Sequence, residues 1–483
     1  MIEGTFDGLT VYEQSVVTHE GTTYFLAQDT VRGDKLLGVK GDATGFAGER
    51  LGDTLLCALT SENAAALAAR LPWLNPVPLG LRTSAGFGDR LGLATSGHAQ
   101  AAEGTGIAPI FAQQSVRENA RTGRTPQQVL DDARWGAFQA GWRAVWGADA
   151  DHLKTPDVIA PFVEAGYSFF TIDPGDHVDP AADTDALPAL RAKVAALPWA
   201  QLDSAPEDLG ARFLGRDFDL GAQALRFDEE TLLRAATKYG RALAHIVRMD
   251  EALRAEMGSA PFDLEISVDE TETPTSIHEH LFLAIELRRL NVTWVSLAPR
   301  FVGRFEKGVD YIGDLDALDR DLAGHAAVMR FVGGYKLSLH SGSDKFTVYP
   351  MAARHTAGAV HLKTAGTSYL EALRVWAEVD PAAFREVLDF ARARYETDRA
   401  TYHVSADLQE VPEAGTLEDG ALPGLLDQFA ARQVLHVTFG SVLDTFGDRL
   451  QAVLRAQEDR YQALLREHFA RHLQPFYVHH EGA

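Results

Sequence analysis

Gly147-Ala-Asp-Ala-Asp-His-Leu-Lys154 places two aspartates, a histidine and a lysine in six residues, after an apolar approach from Phe138 to Trp146. Thr155-Pro156 comes next, and threonine followed by proline is a good opening for a helix. The charged cluster is therefore expected where a strand ends and a helix begins. In a barrel of alternating strands and helices, chemistry sits at that rim. The segment reads as one wall of a metal site.

The same strand, polar rim, helix order repeats outward from this segment. Strands are expected at 107–113, 144–149, 168–173, 262–268, 292–298, 335–340, 359–363 and 434–438. Helical patterns lie between them, with marked starts at Thr125-Pro126, Thr155-Pro156 and Asp380-Pro381. Eight strands alternating with helices indicate an α/β fold, a (β/α)8 TIM-type barrel over about residues 106–475. Residues 176–260 are too long for a plain connection and read as a helical insertion over the rim after strand three. Residues 1–105 form a mixed, strand-rich N-terminal segment with short alternating runs between Gly- and Asp-bearing turns. That segment closes on Ser84-Ala-Gly-Phe-Gly-Asp-Arg-Leu-Gly92, whose glycine spacing matches no nucleotide fingerprint.

Alternation along each strand then says which residues face the barrel axis. Leu337 and Leu339 face the helices, so Ser338 and His340 face inward. By the same parity His361 and Lys363 face in, as do Glu265, Ser267 and Asp269, Thr171 and Asp173, and His436 and Thr438. Ionisable residues thus gather inside, near the C-terminal ends of the strands.

A lone histidine at a strand end is as a rule a hydrogen-bonded core or rim residue. Three of them (His152, His340 and His361) with Asp151, Glu265 and Asp173 suit a divalent cation, and Zn, Mn, Ni, Co and Fe all accept such donors. Arg90, Gln113, Lys154, Arg300 and Lys363 are the candidate contacts to an acidic or polyhydroxylated ligand. Lys363 ends an inner strand before a Gly/Thr/Ser loop, where Schiff-base aldolases place their nucleophile. The histidine two residues before it favours a charge-binding role instead. His278-Glu-His280 reads as solvated helix surface, and His479-His480 as a frayed tail.

The net charge of −23 disfavours nucleic acid and anionic membranes as partners. The single Cys57 excludes an intramolecular disulfide and a cysteine-built metal site. No basic-then-apolar leader and no apolar run of about 18 residues occurs, so a cytoplasmic protein is expected. The oligomeric state stays open, a homo-oligomer included.

Several motifs together resemble the tagaturonate epimerase family. They are Gly86-Phe-Gly-Asp-Arg-Leu-Gly-Leu93, Arg121-Thr-Gly-Arg-Thr-Pro126, the opening segment, Phe170-Thr-Ile-Asp-Pro-Gly-Asp-His177, Ile266-Ser-Val-Asp-Glu-Thr-Glu-Thr-Pro274, Leu297-Ala-Pro-Arg-Phe-Val-Gly303, Leu339-His-Ser-Gly-Ser-Asp-Lys-Phe346 and Lys363-Thr-Ala-Gly-Thr-Ser-Tyr-Leu370. The resemblance covers about residues 84–445. It implies a metal-dependent isomerase of bacterial hexuronate breakdown, interconverting D-tagaturonate and D-fructuronate. It also implies His152, His340 and His361 as metal ligands, Asp151 as proton acceptor and Glu265 as proton donor.

The two sugars differ at the carbon beta to the ketone, whose proton the carbonyl does not acidify. Aldol cleavage and rejoining is therefore the expected route, under a lid for which the 176–260 insertion is the candidate. A metal-dependent sugar-acid aldolase or ketose isomerase on the same barrel is the alternative. A non-catalytic sugar-acid binding protein is the third reading.

Overall fold

The structure is a computed structural model, describing residues 5–6, 8–29, 33–221 and 224–477. His479-His480 lies outside the described residues. Eight parallel strands close into a barrel. In chain order they are β1 Ser84–Gly86, β2 Ala108–Ser115, β3 Gly147–Leu153, β4 Phe169–Ile172, β5 Asp263–Ser267, β6 Ser296–Ala298, β7 Lys336–Leu339 and β8 Val360–Lys363. Each precedes a helix of the outer ring: α1 Thr95–Ala102, α2 Pro126–Gln139, α3 Ala160–Ala165, α4 Glu229–Met257, α5 Ile277–Arg289, α6 Leu315–Val332, α7 Tyr349–Thr356 and α8 Thr367–Val379.

Seven of the expected strands are present, with shifted ends. The eighth is not where the sequence pattern put it. Residues 434–438 belong to helix α9, Phe429–Val437, and its end, so His436 and Thr438 are not lumen residues of a strand. Ala430, Ala431, Val434, Leu435 and Val437 are all buried there, an apolar spacing that suits a helix as well as a short strand. The eighth strand is β1, inside the segment assigned to the N-terminal region. It pairs His361 with Ser84 and Lys363 with Gly86 on one side, and Gly86 with Ile110 on the other. Three residues ending in glycine give little strand signal. A Cβ at Gly86 would meet Gln113 Oε1 at 2.5 Å, so a larger residue there would have to displace the Gln113 side chain.

Before the barrel, an antiparallel sheet built on Thr22–Asp29, Lys35–Lys40 and Thr54–Ala58 buries Tyr24, Leu26, Leu37 and Val39 against Trp135 and Phe138 of α2. After β4, α4 takes its place in the ring between α3 and α5. It starts on Asp228, whose side chain accepts from the Thr231 amide. A two-stranded hairpin, Asp217–Asp219 with Ala224–Arg226, precedes it. Among the described residues no helix is long and apolar enough to cross a membrane.

On β5, β7 and β8 the alternation read from the sequence holds. Leu264, Ile266, Leu337, Leu339, Val360 and Leu362 join the apolar layer under the helices. At the N-terminal end of the barrel the lumen is closed by Lys336, whose Nζ donates to Gly80 O, Arg82 O and Ser84 Oγ at 3.0, 2.7 and 2.7 Å.

Candidate active site

β3 runs through the charged cluster rather than stopping before it. Its register against β4 pairs Ala150 with Phe170 and then Leu153 with Ile172, so β3 carries one extra residue between the pairs. His152 takes φ 54, left-handed backbone that a non-glycine residue rarely adopts. The bulge lets two consecutive residues, Asp151 and His152, both reach the lumen, where a regular strand would send one outward.

Lys363 is the hub of the lumen. Its Nζ lies 2.8 Å from Asp149 Oδ2, 2.6 Å from Asp151 Oδ1, 2.8 Å from Glu265 Oε1 and 2.7 Å from Thr171 Oγ1. An ammonium has three donors, so these partners exhaust it. Burial opposes its charge, but the three carboxylates outweigh burial and hold its pKa well above the ordinary lysine value. Lys363 is thus engaged by the protein's own carboxylates, and a protonated amine is the wrong state for a Schiff base. It holds the two expected proton carriers instead. Asp151 and Glu265 are buried, yet Lys363 and the neighbouring imidazoles keep both pKa values well below the carboxylate range. Burial pushes Asp149, deeper on β3, up to about 7.

Beside this hub lie His152 and His340, with ring centroids 5.1 Å apart. His340 Nε2 sits 2.6 Å from Glu265 Oε1 and its Nδ1 3.0 Å from Asp269 Oδ1. His152 Nδ1 sits 3.1 Å from Asp173 Oδ2, a carboxylate–histidine contact that fixes a ring in the way metal ligands are commonly fixed. Against burial, Asp151, Glu270 and Asp173 raise His152 to about 10, and Asp269 and Glu265 raise His340 to about 9. Donor atoms of His152, His340 and Asp269 lie within 4.8 Å of one another. Two imidazoles and a carboxylate are a donor set that divalent transition metals accept.

His361 is not one of that group. It lies two residues before Lys363, nearer the N-terminal end of the barrel, with Nδ1 2.9 Å from Ser84 Oγ. Burial lowers its pKa to about 3, so the ring is neutral, and its Nε2 has no partner. Gln113 Oε1, Glu265 Oε2 and Ser338 Oγ are also buried and unpartnered. Orphaned polar atoms on lumen-facing residues mark the space as one built for a polar ligand.

The remaining expected contacts are distributed as follows. Gln113 Nε2 donates to Asp151 Oδ2 at 3.3 Å and so helps to hold that carboxylate. Arg90 gives Nε and Nη2 to Glu118 Oε1 at 3.0 and 2.7 Å and lies 3.6 Å over the Phe439 ring. Lys154 is spent on Asp176 and Asp173 at 3.0 and 3.6 Å. Arg300 lines a cavity of about 240 Å³ with Asp269, Glu270, Lys307, His340 and Tyr402. Asp149 and Lys307 were not singled out from the sequence. Asp149 shares the parity of Asp151 and was readable in the quoted stretch, whereas Lys307 lies in a loop where alternation says nothing.

Two other histidine groups lie apart from His152 and His340. Asp344, His468 and His472 cluster in the interior, but the Asp344 amide donates to His472 Nε2 at 2.9 Å and Arg432 Nη2 donates to the Asp344 carboxylate at 2.8 Å. His472 Nε2 is thereby engaged within the protein. His280 is fully buried, not solvated: its Nδ1 lies 2.9 Å from His325 Nδ1 and its Nε2 2.9 Å from Tyr335 Oη, tying α5 to α6 and to the residue before β7.

The loop after β8 turns at Gly366, φ 97, where a Cβ would strike the His436 ring and lie 2.9 Å from Arg90 Nη2. Gly366→Ala is expected to destabilise the fold by about 1–3 kcal/mol, from strained backbone and the displaced ring. Urea unfolding of the two proteins checks this, and an unchanged midpoint would show that the loop yields freely.

A family described as tagaturonate epimerase matches residues 12–476. The tagaturonate/fructuronate epimerase of Thermotoga maritima is 42% identical over 475 residues, 96% of each chain. The native crystal structure of the fructuronate-tagaturonate epimerase of Cohnella laeviribosi is 36% identical, with TM-score 0.92 and 97% of either chain covered. Its complex with one glycerol is 37% identical, also with TM-score 0.92, covering 97% of this chain and 96% of that one.

Proposed function

Because the chain belongs to the tagaturonate epimerase family, we propose that it interconverts D-tagaturonate and D-fructuronate by metal-assisted aldol cleavage and rejoining. The observation that carries the route is the Lys363-bridged pair Asp151 and Glu265, set beside His152, His340 and Asp269. The last three residues would hold a divalent cation, which when bound supplies Lewis-acid polarisation of the substrate's ketone.

The ketose is numbered here from its hydroxymethyl end, with the ketone at C2 and the carboxylate at C6. Asp151, unprotonated at neutral pH, accepts the proton of the C4 hydroxyl. The C3–C4 bond breaks, its electron pair passes into a C2–C3 enediolate, and C4 becomes an aldehyde. Rotation about the C4–C5 side presents the other face of that aldehyde. The C3–C4 bond reforms, and the alkoxide at C4 takes a proton back with inverted configuration. No atom is gained or lost, and no redox partner is needed. Glu265 is also unprotonated in the resting site, so as the donor it would first receive the proton taken up by Asp151. Lys363 donates to both carboxylates and gives that proton a path between them.

The test is conversion of D-fructuronate by chelator-stripped protein, with Zn, Mn, Ni and Co restored singly. We expect activity lost on stripping and regained with at least one ion. Full activity of stripped protein would remove the metal from the route, and no activity in any ion would remove the function.

A further inference from the structure

We propose that Lys307, together with Arg300, is the clamp for the substrate's carboxylate and so sets both the orientation and the acid selectivity of the site. This rests on the function proposed above. The argument starts from the charge of the lumen. Asp149, Asp151, Asp173, Glu265 and Asp269 crowd one end around Lys363 and the two imidazoles, which suits a cation and repels an anion. A sugar carboxylate must lie away from that end.

Most cations around the rim are already answered. Arg90 is paired with Glu118, Arg117 with Glu270, Lys154 with Asp176 and Arg304 with Glu306. Among the described residues, the side chains of Arg300 and Lys307 make no hydrogen bond and no ion pair, and both line the cavity that His340 and Asp269 also line. Of the carboxylates on this cavity, Glu270 is paired with Arg117 and Glu306 with Arg304, so two cations without an ion pair on one wall leave a place for an anion.

Lys307 is also placed rather than loose. Lys345, fully buried, donates from Nζ to Glu306 O at 2.8 Å and to Val309 O on the other side of Lys307. Arg432 Nε donates to Gly308 O at 2.7 Å, and Gly308 packs against the His436 ring. The backbone carrying the ammonium is thus held by α9 and by the β7–α7 loop. With the ketone at the His340 end and the carboxylate at the Lys307 end, C4 lies between them.

The experiment compares the full chain with Lys307→Gln and Lys307→Arg. Calorimetry measures binding of D-galactonate, a six-carbon sugar acid without a ketone, and of galactitol, its uncharged counterpart. We expect Lys307→Gln to weaken galactonate about 100-fold, to leave galactitol unchanged, and to raise KM for D-tagaturonate more than it lowers kcat. Lys307→Arg should restore most of the affinity. Equal loss for acid and polyol, or no loss for the acid, overturns the clamp. If the unmutated chain epimerises neither uronate, the proposed function falls while the galactonate titration still judges Lys307.

Discussion

Lys363→Met is expected to lower kcat about 1,000-fold while the protein still folds. Removing the ammonium leaves Asp149, Asp151 and Glu265 facing one another with only the imidazoles of His152 and His340 as counter-charge. Their pKa values must then rise, because burial and mutual repulsion both favour the protonated form. The acceptor is filled at neutral pH, and the acid limb of the kcat/KM profile moves to higher pH. The stability deficit has the same sign: it is largest where all three would be ionised and shrinks as pH falls and protons are taken up. Lys363→Arg keeps the charge, so it should restore the position of the acid limb but not the full rate, since a planar guanidinium cannot reproduce four contacts arranged around one nitrogen. A Lys363→Met enzyme with near-normal kcat and an unmoved profile would show that the hub has no part in the reaction. Borohydride with substrate should trap no adduct on the unmutated enzyme, because the amine is held protonated.

His340→Ala is expected to leave a protein that retains no divalent metal through dialysis and has lost about 1,000-fold or more in activity. The pH dependence of metal binding gives a sharper reading. In stripped protein Asp269 and Glu265 hold His340 up to about 9, and Asp151, Glu270 and Asp173 hold His152 up to about 10. A raised histidine pKa stabilises the stripped protein fully below the unfolded value near 6.5, and that stabilisation disappears as pH climbs through 9 to 10. A cation must displace both protons, so its affinity should rise with pH by about tenfold per unit for each proton released. Competition against a chelator at pH 6, 7 and 8 reads the slope. A flat profile would mean that neither imidazole binds the ion. His340→Ala should lower the slope along with the affinity.

The inward parity of β4, β5, β7 and β8 was legible in the sequence because apolar residues occupy the outward positions consistently. That alternation correctly placed Glu265, His340 and Lys363 in one lumen. Three things were not legible. β1 is three residues ending in glycine, and residues 434–438 imitate a strand inside a helix, so the barrel was closed with the wrong segment. The height of a side chain along the barrel depends on register between strands, which one sequence does not carry, so the separation of His361 from the group of His152, His340 and Asp269 could not be read from it. Pairing is equally invisible: Arg90, Lys154, Arg300 and Lys363 look alike as cations, and only their neighbours show that Arg300 remains unanswered. Two of the alternatives fare differently here. A Schiff-base aldolase conflicts with the state of Lys363, whereas a metal-dependent aldolase differs from the proposed epimerase only in whether the aldehyde escapes.

The extra residue in β3 gives the chain a choice that a regular strand would not. Removing one residue at Asp151–His152 would let the ladder to β4 run straight and free His152 from its left-handed backbone. The shortened chain should melt later than its parent, and it should be inert. Heat tolerance and turnover are therefore opposed at this one position, and a search for hardier versions of the enzyme that screens by thermal challenge alone will tend to collect barrels from which the working strand has been ironed flat.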